Sequence, residues 1–270
     1  MPLAVCATPI GNLGDVTLRV LAELSAADLV LCEDTRHTRV LLARHGIAAR
    51  LVSLHEHNER ARSAEVVPRL LAGERIALVS DAGLPGISDP GALLVRAAIR
   101  AGVPVTVLPG PSAVETALVA SGLAAERYAF LGFLPRRAPE LAALWEELSG
   151  HAWPVVAFES PRRLPATLRS LAAFAPARPL AVCRELTKRY EQVDRGSAAE
   201  LAERYAEPPR GEVTLVLAPL PAAPAAAAEA AEAVDAVAEL VAAGAPRRAA
   251  AEVVARLTGV PRNRLYRASL

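Results

Sequence analysis

The chain has 270 residues, 53% of them hydrophobic, and a formal charge of +1. That length holds one or two α/β domains with a full core, and the near-neutral balance neither requires nor excludes a polyanionic partner. No apolar run is long enough to span a bilayer.

The opening MPLAVCATPI lacks the charged start and cleavage site of a secretory signal, so a cytosolic protein is expected. Cys6, Cys32 and Cys183 form no C-x-x-C pair, which argues against a disulfide framework or a zinc site. Each falls in a strand pattern and reads as a small core residue. In chain order, LAVCAT, LVLCED, RLVSLH, IALVSD and VTVLPG each precede a helical pattern, examples being 18–24, 66–71 and 93–101. The alternation predicts βαβ units and a largely parallel sheet, with functional loops at the carboxyl ends of its strands. The second half repeats the theme with YAFLGF, PVVAFES, PLAVCRE, YEQVDRG and EVTLVLA. The expected layout is an N-terminal α/β domain over 1–117 and a C-terminal one over 118–220, with a cleft between them and a junction near 118–127. A linker and a basic helical appendage follow over 221–270. The linker, PLPAAPAAAAEAAEA, is a shift in composition entering a helix. Beyond it, breaks at 244–246 and 259–261 divide short helices, and six arginines face one acid from Gly244 onward. A helix-turn-helix-like basic module fits, as does an alanine-rich docking helix with solvated arginines.

The strand-end loops hold the candidate chemistry. ATPIGNLGD matches neither the dinucleotide glycine pattern nor a P-loop. SDAGLPGISDPG is more informative. Asp81 sits at a strand end, Ala82 and Gly83 leave backbone groups open, and Pro85 and Pro90 stiffen the loop. Asp89, just before Pro90, reads as a cap for the next helix, which leaves Asp81 for a ligand or a partner arginine. In LPGPSAVETAL the turn is sharp, Ser112 suits an N-cap, and Ala113 is small enough to admit a planar ring. The polar loops CEDTRHTR and SLHEHNE carry Glu33, Asp34, Arg36, His37, His55, Glu56 and His57. A substrate-facing wall is favoured there over a metal site or a solvated, capping loop. FESPRRL sets Glu159 at a strand end and Arg162 and Arg163 at a helix N-terminus, where they oppose the macrodipole. Phosphate, an interface carboxylate or plain solvation would each explain them. CRELTKRYE carries Lys188, the one lysine among 30 basic residues.

Taken together, ATPIGNLGD, CEDTRHTRVLL, HEHN, SDAGLPGISDPG, PGPSA, FESPRRL and CRELTK occur in order over Thr8–Lys188. This series resembles the bacterial RsmI family, ribosomal RNA small-subunit cytidine 2′-O-methyltransferases of the tetrapyrrole methylase superfamily. The resemblance extends to the tail, RAAAEVVARLTGVPRNRLYRASL. It implies two α/β domains of tetrapyrrole methylase type, S-adenosylmethionine folded in the cleft between them, and a cytosolic homodimer. It also implies 16S rRNA in the small ribosomal subunit as partner, with a cytidine of the decoding region as target. Cofactor contacts carry over to Pro9, Asp81, Ala82, Gly83, Ile87, Ser112 and Ala113, and more loosely to Glu159, Leu186 and Thr214. A sulfonium donor carries no phosphate, so the missing phosphate motifs agree with it. For catalysis, His55 or Glu56 is expected as the base, with Asp34 and Arg36 orienting the ribose and its phosphate. Lys188 would neutralise phosphate or lower the hydroxyl's pKa. RNA is expected on Arg36, Arg136, Arg137, Arg162, Arg163 and the tail arginines. Without an aromatic stacking platform, shape recognition on an assembled subunit is favoured over binding of free strands. The rivals are a small-molecule methyltransferase of the same superfamily and a non-catalytic ribosome-binding factor.

Overall fold

The computed structural model describes residues 2–220 and 224–269, of 224–230 the backbone alone. The chain divides into two compact units, 1–144 with 153–218 and 145–152 with 219–270.

The larger unit holds two five-stranded sheets. In the first, β1 (Leu3–Cys6), β2 (Leu29–Cys32), β3 (Leu51–Ser53), β4 (Ile76–Val79) and β5 (Val105–Leu108) run parallel in the order β3-β2-β4-β1-β5. The crossovers contain α1 (Leu18–Ala26), α2 (Thr35–Arg44), α3 (Glu59–Leu71) and α4 (Ala92–Arg100). Every residue of β1, β2 and β4 is buried, as expected of apolar runs covered on both faces. Alternate side chains serve opposite cores. Leu3, Leu31 and Leu78 meet Leu70 and Leu94 on one face. Ala4, Cys32 and Val79 meet Val20 and Leu24 on the other. All three cysteines are free and buried. Burial pushes the Cys6 and Cys183 thiols up to about 12.

α5 (Ala113–Ser121) packs on the second sheet, where Val114, Ala117 and Leu118 meet Val156, Ala181 and Val216. The chain therefore crosses between sheets in 109–112, ahead of the 118–127 junction expected from the sequence. A change of partner surface needs only a sharp turn, and Pro109-Gly110-Pro111 supplies it before the helix begins.

The second sheet comprises β6 (Ala129–Phe133), β7 (Val155–Glu159), β8 (Pro179–Arg184), β9 (Gln192–Ser197) and β10 (Val213–Leu217), ordered β6-β7-β10-β8-β9. Here the parallel expectation fails: only β6 and β7 run parallel, and the other pairs are antiparallel. Residues 185–191 join β8 to β9 without a helix. A parallel crossover needs a dozen or more residues, so that connection returns antiparallel. α6 (Ala138–Glu147), α7 (Leu164–Phe174) and α8 (Ala198–Arg204) complete the elements of this half.

In the smaller unit α9 (Pro224–Ala242), α10 (Arg247–Thr258) and α11 (Arg262–Ala268) surround Val237, Ala251, Val254 and Leu265. Both breaks fall where Gly and Pro stand in the sequence. Residues 221–223, near the start of the expected linker, lie outside the described residues. No helix among the described residues is long and apolar enough to cross a membrane.

Candidate functional site

The loops leaving β1 and β4 are tied together. Thr8 N–H donates to the Gly83 carbonyl (2.8 Å), Gly83 N–H returns to Thr8 (3.0 Å), and the Thr8 hydroxyl donates to Ser80 (3.0 Å). From β2, the Asp34 N–H donates to Asp81 Oδ1 (3.1 Å), while His37 Nδ1 stands 3.7 Å from Oδ2. Opposite, the β8–β9 loop reaches the β1 loop through Asn12 N–H and Thr187 Oγ1 (3.1 Å). This approach requires glycine at position 11, where a Cβ would stand 2.5 Å from Lys188 Cγ. A cavity of about 540 Å³ lies within this frame, inside the larger unit. That volume suits a small organic ligand.

Asp81, Ala82, Gly83, Ile87, Ser112, Ala113, Glu159, Leu186 and Thr214 all line the cavity. Pro9 does not; its neighbour Ile10 does. Glu33, Asp89, Glu185, Glu212, Phe133 and Phe158 complete much of the wall. The sequence hinted at the two glutamates that follow strands, 33 and 185, but offered no pattern for Glu212 or the phenylalanines. Phe133 and Phe158 meet edge to face at 5.5 Å, an apolar surface able to take a flat ring.

The charge of the lining is one-sided. It carries six carboxylates (Glu33, Asp81, Asp89, Glu159, Glu185, Glu212) and no lysine, arginine or histidine. Such a cavity favours a cationic ligand and disfavours a phosphate. Backbone strain gathers at the same place. The described non-glycine residues with positive φ are Ser88 (63°), Glu185 (50°) and Thr187 (65°); two of them line the cavity and the third joins the β8–β9 loop to the β1 loop. Strain of about 1–3 kcal/mol per residue persists where the surrounding structure holds it.

Two relatives extend over nearly the whole molecule. The "Ribosomal RNA small subunit methyltransferase I" of Mesorhizobium japonicum is 43% identical, covering 98% of this chain and 90% of its own. That of a Synechocystis species is 41% identical, covering 99% and 97%. The chain belongs to the ribosomal RNA small subunit methyltransferase I family. Residues 2–202 also match the family model for tetrapyrrole (corrin/porphyrin) methylases. Among solved structures, a diphthine synthase superposes with a TM-score of 0.61 at 16% identity, covering 80% of this chain and 89% of that one. A uroporphyrin-III C-methyltransferase from Thermus thermophilus, complexed with S-adenosylhomocysteine, gives 0.54 at 18%, covering 81% and 97%. Those two likenesses establish the tetrapyrrole methylase fold, of the α/β class expected.

The residues expected for catalysis stand outside the lining, two of them in contact with it through Asp34 N–H and Lys188 Nζ. His55, Glu56, Asp34, Arg36 and Lys188 are not among the residues lining the cavity. Asp34 caps α2, accepting the Arg36 N–H (2.8 Å), and Arg36 binds it back through Nη2 (2.7 Å). The Arg36 guanidinium holds the Asp34 carboxyl down at about 2. The two satisfy each other in this structure. His55 is fixed by Asn58, whose Oδ1 accepts the His55 N–H (2.9 Å) and whose amide nitrogen meets the ring Nε2 (3.1 Å). Glu56 is exposed. Lys188 Nζ bridges the cavity carboxylates Glu185 (3.0 Å) and Glu212 (2.9 Å). Glu159 lines the cavity with its side chain fully buried. Its oxygens take the Ser160 N–H (2.6 Å), the Arg163 guanidinium (2.5 Å) and the Thr167 hydroxyl (2.5 Å). Its carboxylate is a clamp between β7 and α7, and it explains Arg163 without a phosphate.

Proposed function

We propose that this protein transfers a methyl group from S-adenosylmethionine to the ribose 2′-hydroxyl of a cytidine in small-subunit 16S rRNA. The observation that carries the donor is a cavity with six carboxylates and no basic side chain. The acceptor rests on the near-full-length similarity to proteins named for small-subunit rRNA methylation and on the resemblance of the ordered motifs.

The residues present fit the donor. Asp81, already oriented by the Asp34 N–H, offers an oxygen to ribose hydroxyls or an ammonium. Ala82, Gly83, Ser112 and Ala113 present small side chains and backbone groups, and Ile87, Leu186 and Thr214 close around them. Lys188 holds Glu185 and Glu212 in place. When bound, S-adenosylmethionine supplies an electrophilic methyl on a good leaving group. The protein's share is to align the acceptor oxygen about 3–3.5 Å from that carbon, exclude water and remove a proton. We place the reaction in the cytoplasm, on an assembled subunit, with the protein as a homodimer.

The test uses S-adenosylmethionine labelled in its methyl group, with small subunits or naked 16S rRNA, followed by alkaline hydrolysis. A methylated 2′-oxygen cannot attack its phosphate, so label should survive in dinucleotides. Label found only in mononucleotides would overturn the ribose assignment, and calorimetry with no uptake of the donor would overturn the whole reading.

A further inference from the structure

Among the described residues, two large apolar side chains are both exposed and part of the cavity wall: Ile87 (50%) and Phe133 (62%). Ile87 closes on the donor in the reading above, but Phe133, the last residue of β6, has no part there. A ring left in water forgoes its burial energy, so an apolar rim beside a cavity marks a contact surface.

The backbone is built to hold Phe133 outward. Phe130 pairs with Val156 and Phe133 with Phe158, so Leu131 and Gly132 of β6 together oppose Ala157 of β7 in a β-bulge. Gly132 takes φ 68°, a conformation that favours glycine. A Cβ there would stand 3.4 Å from Ser88 Oγ, on the β4–α4 loop. Without the extra residue, strand alternation would turn Phe133 to the opposite face of the sheet. The next residue, Leu134, is buried and fixed on both sides of its backbone. Its N–H donates to the Phe158 carbonyl (3.1 Å), and its own carbonyl accepts from both Nη atoms of Arg163 (3.1 Å each). Phe158 meets the Phe133 ring edge to face at 5.5 Å, so the ring is braced by a neighbour and open over most of its surface.

We propose that the cytosine ring of the acceptor nucleotide stacks on Phe133, which holds the attached ribose over the cavity. The assignment rests on the function proposed above. A 2′-hydroxyl within an RNA chain must approach the methyl group from outside, so its base meets the rim before any deeper residue. The charged groups of the lining are all carboxylates, which offer little to the face of a neutral pyrimidine; an aromatic face offers stacking. Such stacking tolerates any base, because every base has a π face. The ring therefore positions one nucleotide, while the shape of the assembled subunit selects which nucleotide arrives. The donor's adenine is the competing flat occupant, and donor affinity separates the two.

The experiment compares wild type with Phe133→Ala, Phe133→Leu and Phe133→Tyr by calorimetry with S-adenosylmethionine and by methyl transfer to small subunits. Phe133→Ala should lose about 5–150-fold in kcat/KM for the subunit, the range for removing one base–aromatic stack, with donor affinity within a few-fold of wild type. Phe133→Leu keeps an apolar side chain without a flat face and should stay impaired, whereas Phe133→Tyr should return to within a few-fold of wild type. Phe133→Ala acting near the wild-type rate would overturn the proposal, as would Phe133→Leu matching Phe133→Tyr. Donor affinity falling in step with the rate would put the adenine on this ring and overturn it equally. Should Phe133→Ala fail to fold, the contrast between Phe133→Leu and Phe133→Tyr decides alone. A wild type that binds the donor yet labels no ribose would remove the function itself, a failure visible without any variant.

Discussion

At the scale of the residue, the carboxylates show how one side chain type takes three jobs according to its partners. Glu159 is buried and triply bonded. Glu185 is held below the usual range, first by the Glu212 N–H and then by Lys188. Asp89 has the Ser80 hydroxyl but no cation beside it among the described residues, and burial pushes it up to about 6. The last has a consequence for stability. An unfolded Asp89 gives up its proton near 3.8, the folded one near 6. Between those values the folded state binds more protons, so stability falls as pH rises through the window and stays reduced above it. Asp89→Asn should therefore melt above wild type at pH 8, and the gap should close by about pH 4. A gap independent of pH in paired calorimetric scans would contradict the assigned environment.

Between elements, the decisive interactions are made by loops far apart in the chain. Glu59 caps α4 from the start of α3. Asn12 and Thr187 join loops 175 residues apart. Gly11 permits the second of these, since any Cβ there would also crowd Thr187 Oγ1 (2.8 Å) and the Leu186 carbonyl (2.9 Å). Gly11→Ala should push the β8–β9 loop away, displace Leu186 from the cavity wall and weaken S-adenosylmethionine binding about tenfold in calorimetry. Stability should fall by only about 1–3 kcal/mol, the usual range for overpacking. Unchanged affinity would show that the meeting of these loops does not shape the cavity. The elements themselves were largely legible. Fully apolar four-residue strands and glycine or proline breaks announced nearly all of them. Helix α3 was the exception at its edge: it begins at Glu59, well before the apolar run at 66, because polar first turns carry no periodic signal.

For the whole molecule, the anionic cavity belongs to the larger unit and the arginine-rich tail to the smaller. Arg248, Arg256, Arg262, Arg264 and Arg267 are exposed on the small unit, with Glu252 the acid among them. Alanine at Arg256 and Arg264 should leave donor affinity unchanged. It should weaken subunit binding and flatten its salt dependence by roughly 0.7–0.9 in log–log slope for each arginine–phosphate pair removed. An unaltered slope in filter-binding titrations would confine the tail to packing.

The sequence by itself determined the α/β class and the strand-end loops, and nine of the ten residues expected around the donor line one cavity. Local chemistry sufficed there, because strand periodicity and loop glycines act over a few residues. The tertiary structure alone decided the antiparallel half of the second sheet, the pairing of Lys188 with Glu185 and Glu212, and the capping of α4 by Glu59 in place of Asp89. Each depends on which distant groups fold within hydrogen-bond range. A carboxylate's identity in the chain says nothing of whether its neighbour in space is a cation, a backbone N–H or another carboxylate.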